Sequence, residues 1–369
     1  MWFIFLFSFI FIYGSFQVYF YYSLNRAYHL AGLSKAGVII FLLFMLFGIM
    51  ITRFIKTYNP MIAAYFSYIT YSWMPISLMF LFYGGLTDFL NIFYKLSNQK
   101  RFLIPLIITI VLFVYGHFEA RNIKINQVEI TSSKIPAGKE YRIAQITDVH
   151  YDLLHVFFNE KKMFELIDEI NPDILVSTGD LVDGLWFGVE KTTERFSQRN
   201  KYKKFAVTGN HEFFFDFEYT IEKTEKFGFE ILRQKTVNID EYLSVSGVDD
   251  ITIKRFSPEK NTYSSEPLVA DLDKNKFNIL LNHQPLFGET EINNFDLQLS
   301  GHTHKGQFFP FGLITGMVFK VNSGLKTFGN FNVFVSRGTG TWGPPVRVFS
   351  RPEVTLLLIK AKAGSDPYN

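Results

Sequence analysis

Five histidines, two aspartates and the asparagine Asn210 are the candidate ligands in five short motifs, each directly behind an apolar run. Asp148-Val-His150 follows RIAQIT, and Gly179-Asp180 follows DILVST. Gly209-Asn210-His211-Glu212 follows KFAVT, Asn282-His283 follows FNILL, and Gly301-His302-Thr-His304 follows LQLS. Together they offer the mixed nitrogen and oxygen ligands that divalent transition metals prefer. A pair of such cations is one established means of hydrolysing a phosphate ester. Asp180 suits a bridging position, because a carboxylate has two oxygens, and Asn210 adds a neutral amide oxygen. Asp148 and His150, two residues apart, are expected on one side of an extended strand end. His302 and His304 repeat that spacing. The glycines at 179, 209 and 301 are expected to let the chain turn sharply. One such motif alone is usually structural; five in series are not.

The elements that must position these groups are short. RIAQIT (142–147), DILVST (173–178), KFAVT, YLSVSGV, FNILL and LQLS read as strands. Residues 159–170 read as a helix with Met163, Ile167 and Ile170 on one face, Asn159 as N-cap and Asn171-Pro172 as its stop. Alternation of this kind predicts a sheet covered by helices. The stretches 318–336 and 346–360 read as antiparallel strands, so the sheet is expected to be mixed. In open α/β sheets ligands bind beyond the carboxyl ends of the strands, where every motif lies.

The first third of the chain is of a different kind. Residues 1–118 hold seven Lys or Arg and one acid, whereas 119–369 hold 30 basic and 33 acidic residues. The second part is therefore a balanced, soluble-type domain, and no nucleic-acid partner is expected. The 369 residues include no cysteine, which excludes a disulfide framework and a thiolate site. Uncharged stretches predict four retained transmembrane helices at about 1–23, 36–53, 62–86 and 102–118, since a span needs roughly 20 residues. A transmembrane region over 1–120 and a catalytic domain over 122–369 follow. Arg26, Lys35, Lys95, Lys100 and Arg101 outnumber Arg53 and Lys56, which on the positive-inside rule places the domain outside the cytoplasm. Arg121 and Lys124 pull the other way.

The motif order DxH, GD, GNHE, His and GHxH over about residues 140–355 resembles the calcineurin-like metallophosphoesterases. The closing run Ser336-Arg-Gly-Thr-Gly-Thr-Trp-Gly-Pro-Pro-Val-Arg347 resembles that of membrane-associated bacterial members related to YkuE. The resemblance implies an α/β domain of four-layer type, with mixed β-sheets flanked by helices, behind an all-α transmembrane region. It implies two divalent metal ions, with Mn, Fe and Zn suiting the ligands. Asp148, His150 and His304 would hold the first, Asn210, His283 and His302 the second, and Asp180 would bridge. His211 would serve catalysis by giving a proton to the leaving group, while a water made acidic by the cations attacks phosphorus in line. Asp183 and Glu212 would orient these groups. Lys305 stands where the subgroup usually has glycine and would add charge towards the substrate.

The expected function is metal-dependent hydrolysis of a phosphate ester or pyrophosphate, with membrane lipids as partners and a lipid-linked substrate. UDP-2,3-diacylglucosamine pyrophosphate in lipid A synthesis is one candidate. The alternatives are a nucleotide or nucleic-acid phosphodiesterase and a metal-binding sensory module. The run GDLVDG lacks the arginine of protein phosphatases in this family, which argues against that activity. Phe213, Phe214, Phe215 and Phe217 read first as core and second as an apolar lip for a lipid chain, and Trp186 and Trp342 likewise. The basic stretch from Lys191 to Lys204 reads as a solvated face. His29 and His117 read as interfacial residues, and His155 as a neighbour of the first motif.

Overall fold

The computed structural model describes residues 2–362 apart from Leu185, Pro258 and Lys260. Residue 1 of the first expected span and 363–369 of the expected domain lie outside the described residues. The chain divides into two compact units. One comprises four long helices together with Phe308–Pro310 and Gly343–Phe349; the other holds the rest.

The second unit is built on two six-stranded sheets. Five strands of the first are β1 (Lys124–Ser132), β2 (Glu140–Ile146), β3 (Ile174–Ser177), β4 (Lys203–Ala206) and β5 (Glu230–Ile231). The second has β6 (Lys235–Asn238), β7 (Leu243–Gly247), β8 (Phe277–Leu281), β9 (Leu297–Ser300), β10 (Gly324–Phe328) and β11 (Phe331–Val335). The last strand, β12 (Glu353–Ala361), returns to the first sheet. The orders are β1-β12-β2-β3-β4-β5 and β10-β11-β9-β8-β7-β6. Both sheets are mixed: β2 to β5 run parallel while β12 is antiparallel to β2, and β7, β8, β9 and β11 run parallel between antiparallel β6 and β10. Every residue of β3, β8 and β9 is buried, as expected of parallel strands covered on both faces.

The sheets pack face to face through Ile143, Val176 and Phe205 on one and Val245, Ile279 and Leu299 on the other. The helices of this unit in order are α5 (Glu160–Ile170), α6 (Val189–Ser197), α7 (Asn210–Phe214), α8 (Phe217–Lys226), α9 (Glu289–Asn294) and α10 (Phe311–Val318), counting on from the four long ones. The outer face of the first sheet is covered by α5 through Met163, Ile167 and Ile170, with Phe196 and Phe227. Asn159 caps α5 by accepting the Lys162 amide at 3.3 Å. Leu268, Phe295 and Val321 cover Leu280, Val333 and Val335 on the outer face of the second. The result is a helix–sheet–sheet–helix stack.

Two readings need correction. The stretches 318–336 and 346–360 are only partly strand: α10 ends at Val318, the β10–β11 hairpin starts at Gly324, and β12 starts at Glu353 and lies parallel to β1 as well as antiparallel to β2. The basic stretch is also less solvated than expected. Arg195 pairs with Glu160, Arg199 pairs with Asp168 at 2.6 Å, and Lys204 is buried with its ammonium on the carbonyls of Phe196 and Phe227. Each cation meets an acceptor supplied by a neighbouring element, which a single stretch of sequence does not display.

The four long helices are α1 (Trp2–Tyr28), α2 (Gly32–Tyr58), α3 (Pro60–Tyr94) and α4 (Asn98–Glu119). Among the described residues, α2, α3 and α4 are long and apolar enough to cross a membrane. Asn59, the single residue between α2 and α3, caps α3 by accepting the Ile62 amide at 3.0 Å. Phe20, Phe80 and Phe102 bring rings from α1, α3 and α4 to within 4.8–5.8 Å of one another. His117 of α4 meets the Tyr68 hydroxyl of α3 at 2.9 Å. Asp88, near the end of α3, takes Arg26 of α1 and Arg101 of α4 at 2.9 Å each and the Tyr19 hydroxyl at 3.0 Å. Removing it strands two partly buried guanidinium groups. Asp88→Ala is expected to destabilise the helical unit by about 3 kcal/mol, read as a lower unfolding temperature of the purified full chain in detergent; an unchanged temperature would show the cluster to be passive.

Candidate metal centre

All five motifs meet at one edge of the sheet pair. Asp148 and His150 follow β2, Asp180 follows β3, Asn210 opens α7 just after β4, His283 follows β8, and His302 and His304 follow β9. The turns are not extended strand ends. Asp148, His150, Asp180, His302 and His304 all have positive φ, between 47 and 68°. Asp and His tolerate the left-handed region better than most residues, yet five in one site is backbone strain of the kind concentrated at functional sites. Asp148 and His150 therefore converge through consecutive tight turns, which corrects the strand-alternation reading.

The glycines also act differently from expectation. Gly179 does need its conformation, at φ 95°. Gly209, at φ −104°, does not. It is glycine because a Cβ there would overlap Asp180 Oδ1, and a Cβ on Gly301 would overlap the side chains of Thr147 and Asp148.

The ligand atoms form two facing groups. In the first, His150 Nε2 lies 3.0 Å from His304 Nε2, which lies 3.3 Å from Asp148 Oδ1. In the second, Asn210 Oδ1 lies 3.2 Å from His283 Nε2 and 2.9 Å from His302 Nδ1, and the two ring nitrogens are 3.2 Å apart. Asp180 Oδ2 stands between them, 3.3 Å from His283 Nε2 and 3.9 Å from His150 Nε2. Ligands about 2.1 Å from a shared cation stand about 3.0–3.4 Å apart, so the separations fit. The ring orientations fit as well. His150 Nδ1 lies 2.7 Å from Asp183 Oδ2 and His283 Nδ1 lies 2.8 Å from the Thr178 carbonyl. Donation there leaves each Nε2 as a lone pair facing inwards. The His150 lone pair faces His304 Nε2 at 3.0 Å, a separation that a cation or a proton between the two nitrogens would stabilise.

The charge balance asks for the same thing. Asp148, Asp180 and Asp183 are all buried, and buried carboxylates require cationic partners. Burial opposes ionisation of Asp180, but the facing His283 and His211 imidazoles prevail and hold its carboxyl well below the usual range. His302 is also driven down, to about 4, by burial and by the neighbouring His283. Two divalent cations would supply this positive charge with the ligating imidazoles neutral. Among the described residues, three groups could hold a metal ion: Asp148, His150 and His304; Asp180, His283 and His302; and His150, Asp183 and His211.

The supporting groups have distinct tasks. Asp183 Oδ2 lies 2.7 Å from both His150 Nδ1 and His211 Nδ1. Against the effect of burial, Asp183 and Asp180 draw the His211 imidazole up to about 10. Glu212 turns its carboxylate to backbone amides. Its carboxylate accepts the amides of Gly209, Asp180, Leu181 and Val182 at 2.7–3.3 Å and so fixes the bridging turn. Burial and the charges of Asp180 and Asp183 push Glu212 up to about 7, while four N–H donors favour the ionised acceptor this geometry needs. Lys305 is exposed just past His304.

Sequence reasoning missed part of the frame. Thr147 gives its hydroxyl to Asp148 Oδ2 at 2.8 Å, and the Gly340 amide bonds the Asp148 carbonyl at 3.0 Å. A side chain on Gly340 would overlap the Val149 carbonyl. The closing run thus braces the first turn, and its paired small residues, Gly-Thr-Gly, were the available signal. His155 is set apart from the ligands, buried against Tyr151 and 3.6 Å from Glu160. Trp186 belongs to the core, whereas Trp342 is exposed.

A two-sheet α/β domain that gathers His, Asp and Asn side chains able to hold metal at one edge is the architecture of a metallohydrolase. A family profile for calcineurin-like phosphoesterases matches residues 141–306. An uncharacterized metallophosphoesterase of Aquifex aeolicus is 34% identical over 261 residues, covering 70% of this chain and 99% of that one. A Danio rerio transmembrane protein with metallophosphoesterase domain is 26% identical over 321 residues, 80% of this chain and 74% of that one. YkuE of Bacillus subtilis, an uncharacterized metallophosphoesterase, is 28% identical over 265 residues, 67% of this chain and 90% of that one. The chain belongs to the calcineurin-like metallophosphoesterases. Its activity is accordingly metal-dependent phosphoester hydrolysis, with divalent metal ions as cofactors.

Gly209→Ala tests how tightly the site is built. The variant is expected to fold but to lose bound metal, measured by elemental analysis of purified protein. Gly288→Ala, whose Cβ would come no closer than 3.7 Å to Glu291, should keep wild-type metal content. Equal metal in both proteins would contradict the packing argument.

Proposed function

We propose that this protein is a dimetal phosphoesterase, fixed in the membrane by four helices, that hydrolyses a lipid-linked phosphate ester or pyrophosphate. The observation that carries the reading is the union in one chain of a complete ligand cluster and helices able to cross a bilayer. A second observation supports the lipid. Phe214, Phe215 and Phe256 are exposed, and the first two lie 6.0 Å from the His211 ring. Exposed aromatic rings beside a polar centre suit a substrate with an apolar chain and a charged head.

In this reading Asp148, His150 and His304 hold one cation, Asn210, His283 and His302 the other, and Asp180 bridges. Once bound, the pair would neutralise phosphoryl charge and lower the pKa of the attacking water; Mn, Fe and Zn all suit the ligands. Asp183 holds His150 and His211 in place. His211 gives a proton to the leaving oxygen as its bond to phosphorus breaks, and the water supplies the oxygen that replaces it. Thus the leaving group departs as an alcohol or phosphate, and no covalent enzyme intermediate forms. Asp180→Asn is expected to abolish metal-dependent hydrolysis. His211→Gln should retain bound metal and lose roughly 100-fold or more in kcat. Full activity in either variant would reject the assignment.

The excess of basic residues in the first and third connections supports a catalytic domain outside the cytoplasm. Protease treatment of intact and lysed cells tests this. Digestion of a C-terminal epitope without lysis would favour envelope lipids or carrier phosphates as substrates. Protection until lysis would reverse the orientation and make UDP-2,3-diacylglucosamine the first substrate to assay. Hydrolysis of mononucleotides, with none of lipid extracts, would reject the lipid reading.

A further inference from the structure

The sequence of α10 is FGLITGMV, and none of its eight residues is buried. Met317 is 79% exposed and Val318 68%, with Leu313 and Ile314 exposed beside them. A helix that is apolar all round belongs in a core or in lipid, yet the rest of the described chain leaves this one open. It is also fixed to the metal centre. Gly306, two residues past His304, lies so close to Gly312 that a Cβ on it would overlap the α10 backbone. The Asn322 side chain donates to the Gly312 carbonyl at 3.4 Å, and the Asn322 carbonyl accepts the Thr303 hydroxyl at 2.6 Å. Phe319, directly after α10, sets its ring edge-on to His302 with centroids 5.4 Å apart.

We propose that α10 is a shallow membrane anchor, inserted in the leaflet beside the catalytic domain, that seats the metal centre at headgroup level. Three observations select a bilayer as occupant. The chain carries helices able to cross a membrane, so the domain stays near a lipid surface. The uncharged run is bracketed by exposed Lys305 and Lys320, and apolar segments with lysines at their borders suit the boundary between acyl chains and anionic headgroups. Finally, α10 is continuous with the GHTHKG turn, so its depth in lipid sets the height of the ligands. The inference deepens the lipid-substrate reading and rests on it for the position of the substrate phosphate. The location of α10 itself is measurable without turnover.

The absence of cysteine makes the test direct. Met317→Cys and, as control, exposed Lys161→Cys each give the full chain a single attachment point for an environment-sensitive fluorophore. The labelled proteins are reconstituted in vesicles of phosphatidylethanolamine and phosphatidylglycerol. Lipids spin-labelled near the top of the acyl chain should quench the label at 317 strongly and the label at 161 weakly, with aqueous iodide showing the reverse. Iodide quenching at 317 equal to that at 161 would overturn the proposal. Shielding from both quenchers that disappears when protein is diluted to single copies per vesicle would assign the face to a second copy, and would also overturn it. A Leu313→Asp/Met317→Asp variant adds a functional readout. It should lose roughly tenfold in hydrolysis of a vesicle-borne phosphate ester while cleaving a soluble aryl phosphodiester at the wild-type rate; equal loss on both would reject the anchoring role. Insertion of α10 without hydrolysis of any lipid ester by the wild type would support the anchor and reject the lipid substrate.

Discussion

Three buried carboxylates facing four imidazoles are the constraint on which the domain depends. Asp148, Asp180 and Asp183 lie away from water, and each would be untenable without positive charge nearby. The ring nitrogens approach one another at 3.0 and 3.2 Å, so they too require a cation or a proton between them. The polypeptide accepts strained backbone to build this arrangement, at about 1 kcal/mol or more for each left-handed residue. The two packed sheets and the braces at Thr147, Glu212 and Gly340 hold it. Ligand geometry and scaffold rigidity are consequently one problem: a site of mutually repelling atoms keeps its shape only where the frame leaves no room to relax.

The frame works by division of tasks between close neighbours. Asp180 faces the imidazoles with a carboxylate oxygen, while Glu212 gathers the amides of Asp180, Leu181 and Val182 that shape the Asp180 turn. Asp183 is no ligand in the proposed set, yet its Oδ2 lies 2.7 Å from the Nδ1 atoms of both His150 and His211. Glycines at 209, 301 and 340 leave space rather than supply rotation. Such details explain why the motif is longer than its ligands.

The helical part obeys different physics. Its packing has little water to exclude, so close approach and polar ties carry more of the specificity. Gly48 faces Thr70 where α2 meets α3, and Gly84 faces Tyr19 where α3 meets α1, each too close for a side chain. Asp88 then joins three helices through two arginines and a tyrosine.

Much of this was legible from the chain alone. The ligand types, their order, most core strands, the 159–170 helix and the long apolar segments follow from local composition and period, and local signals survive in sequence. What tertiary structure decided was everything set by distant partners. Asp148 and His150 converge through positive-φ turns because the β3 turn and the closing run bond their backbones, and no spacing rule carries that. The first strand pairs with the last, Lys124 beside Glu353 at the far end of the domain's sequence, a contact without a local signature. The α10 run was too short to read as a span, and only its exposure beside the ligands gives it meaning. Sequence determined which atoms were available to bind metal; the fold decided which of them face one another, because separation in space is set by packing and not by position along the chain.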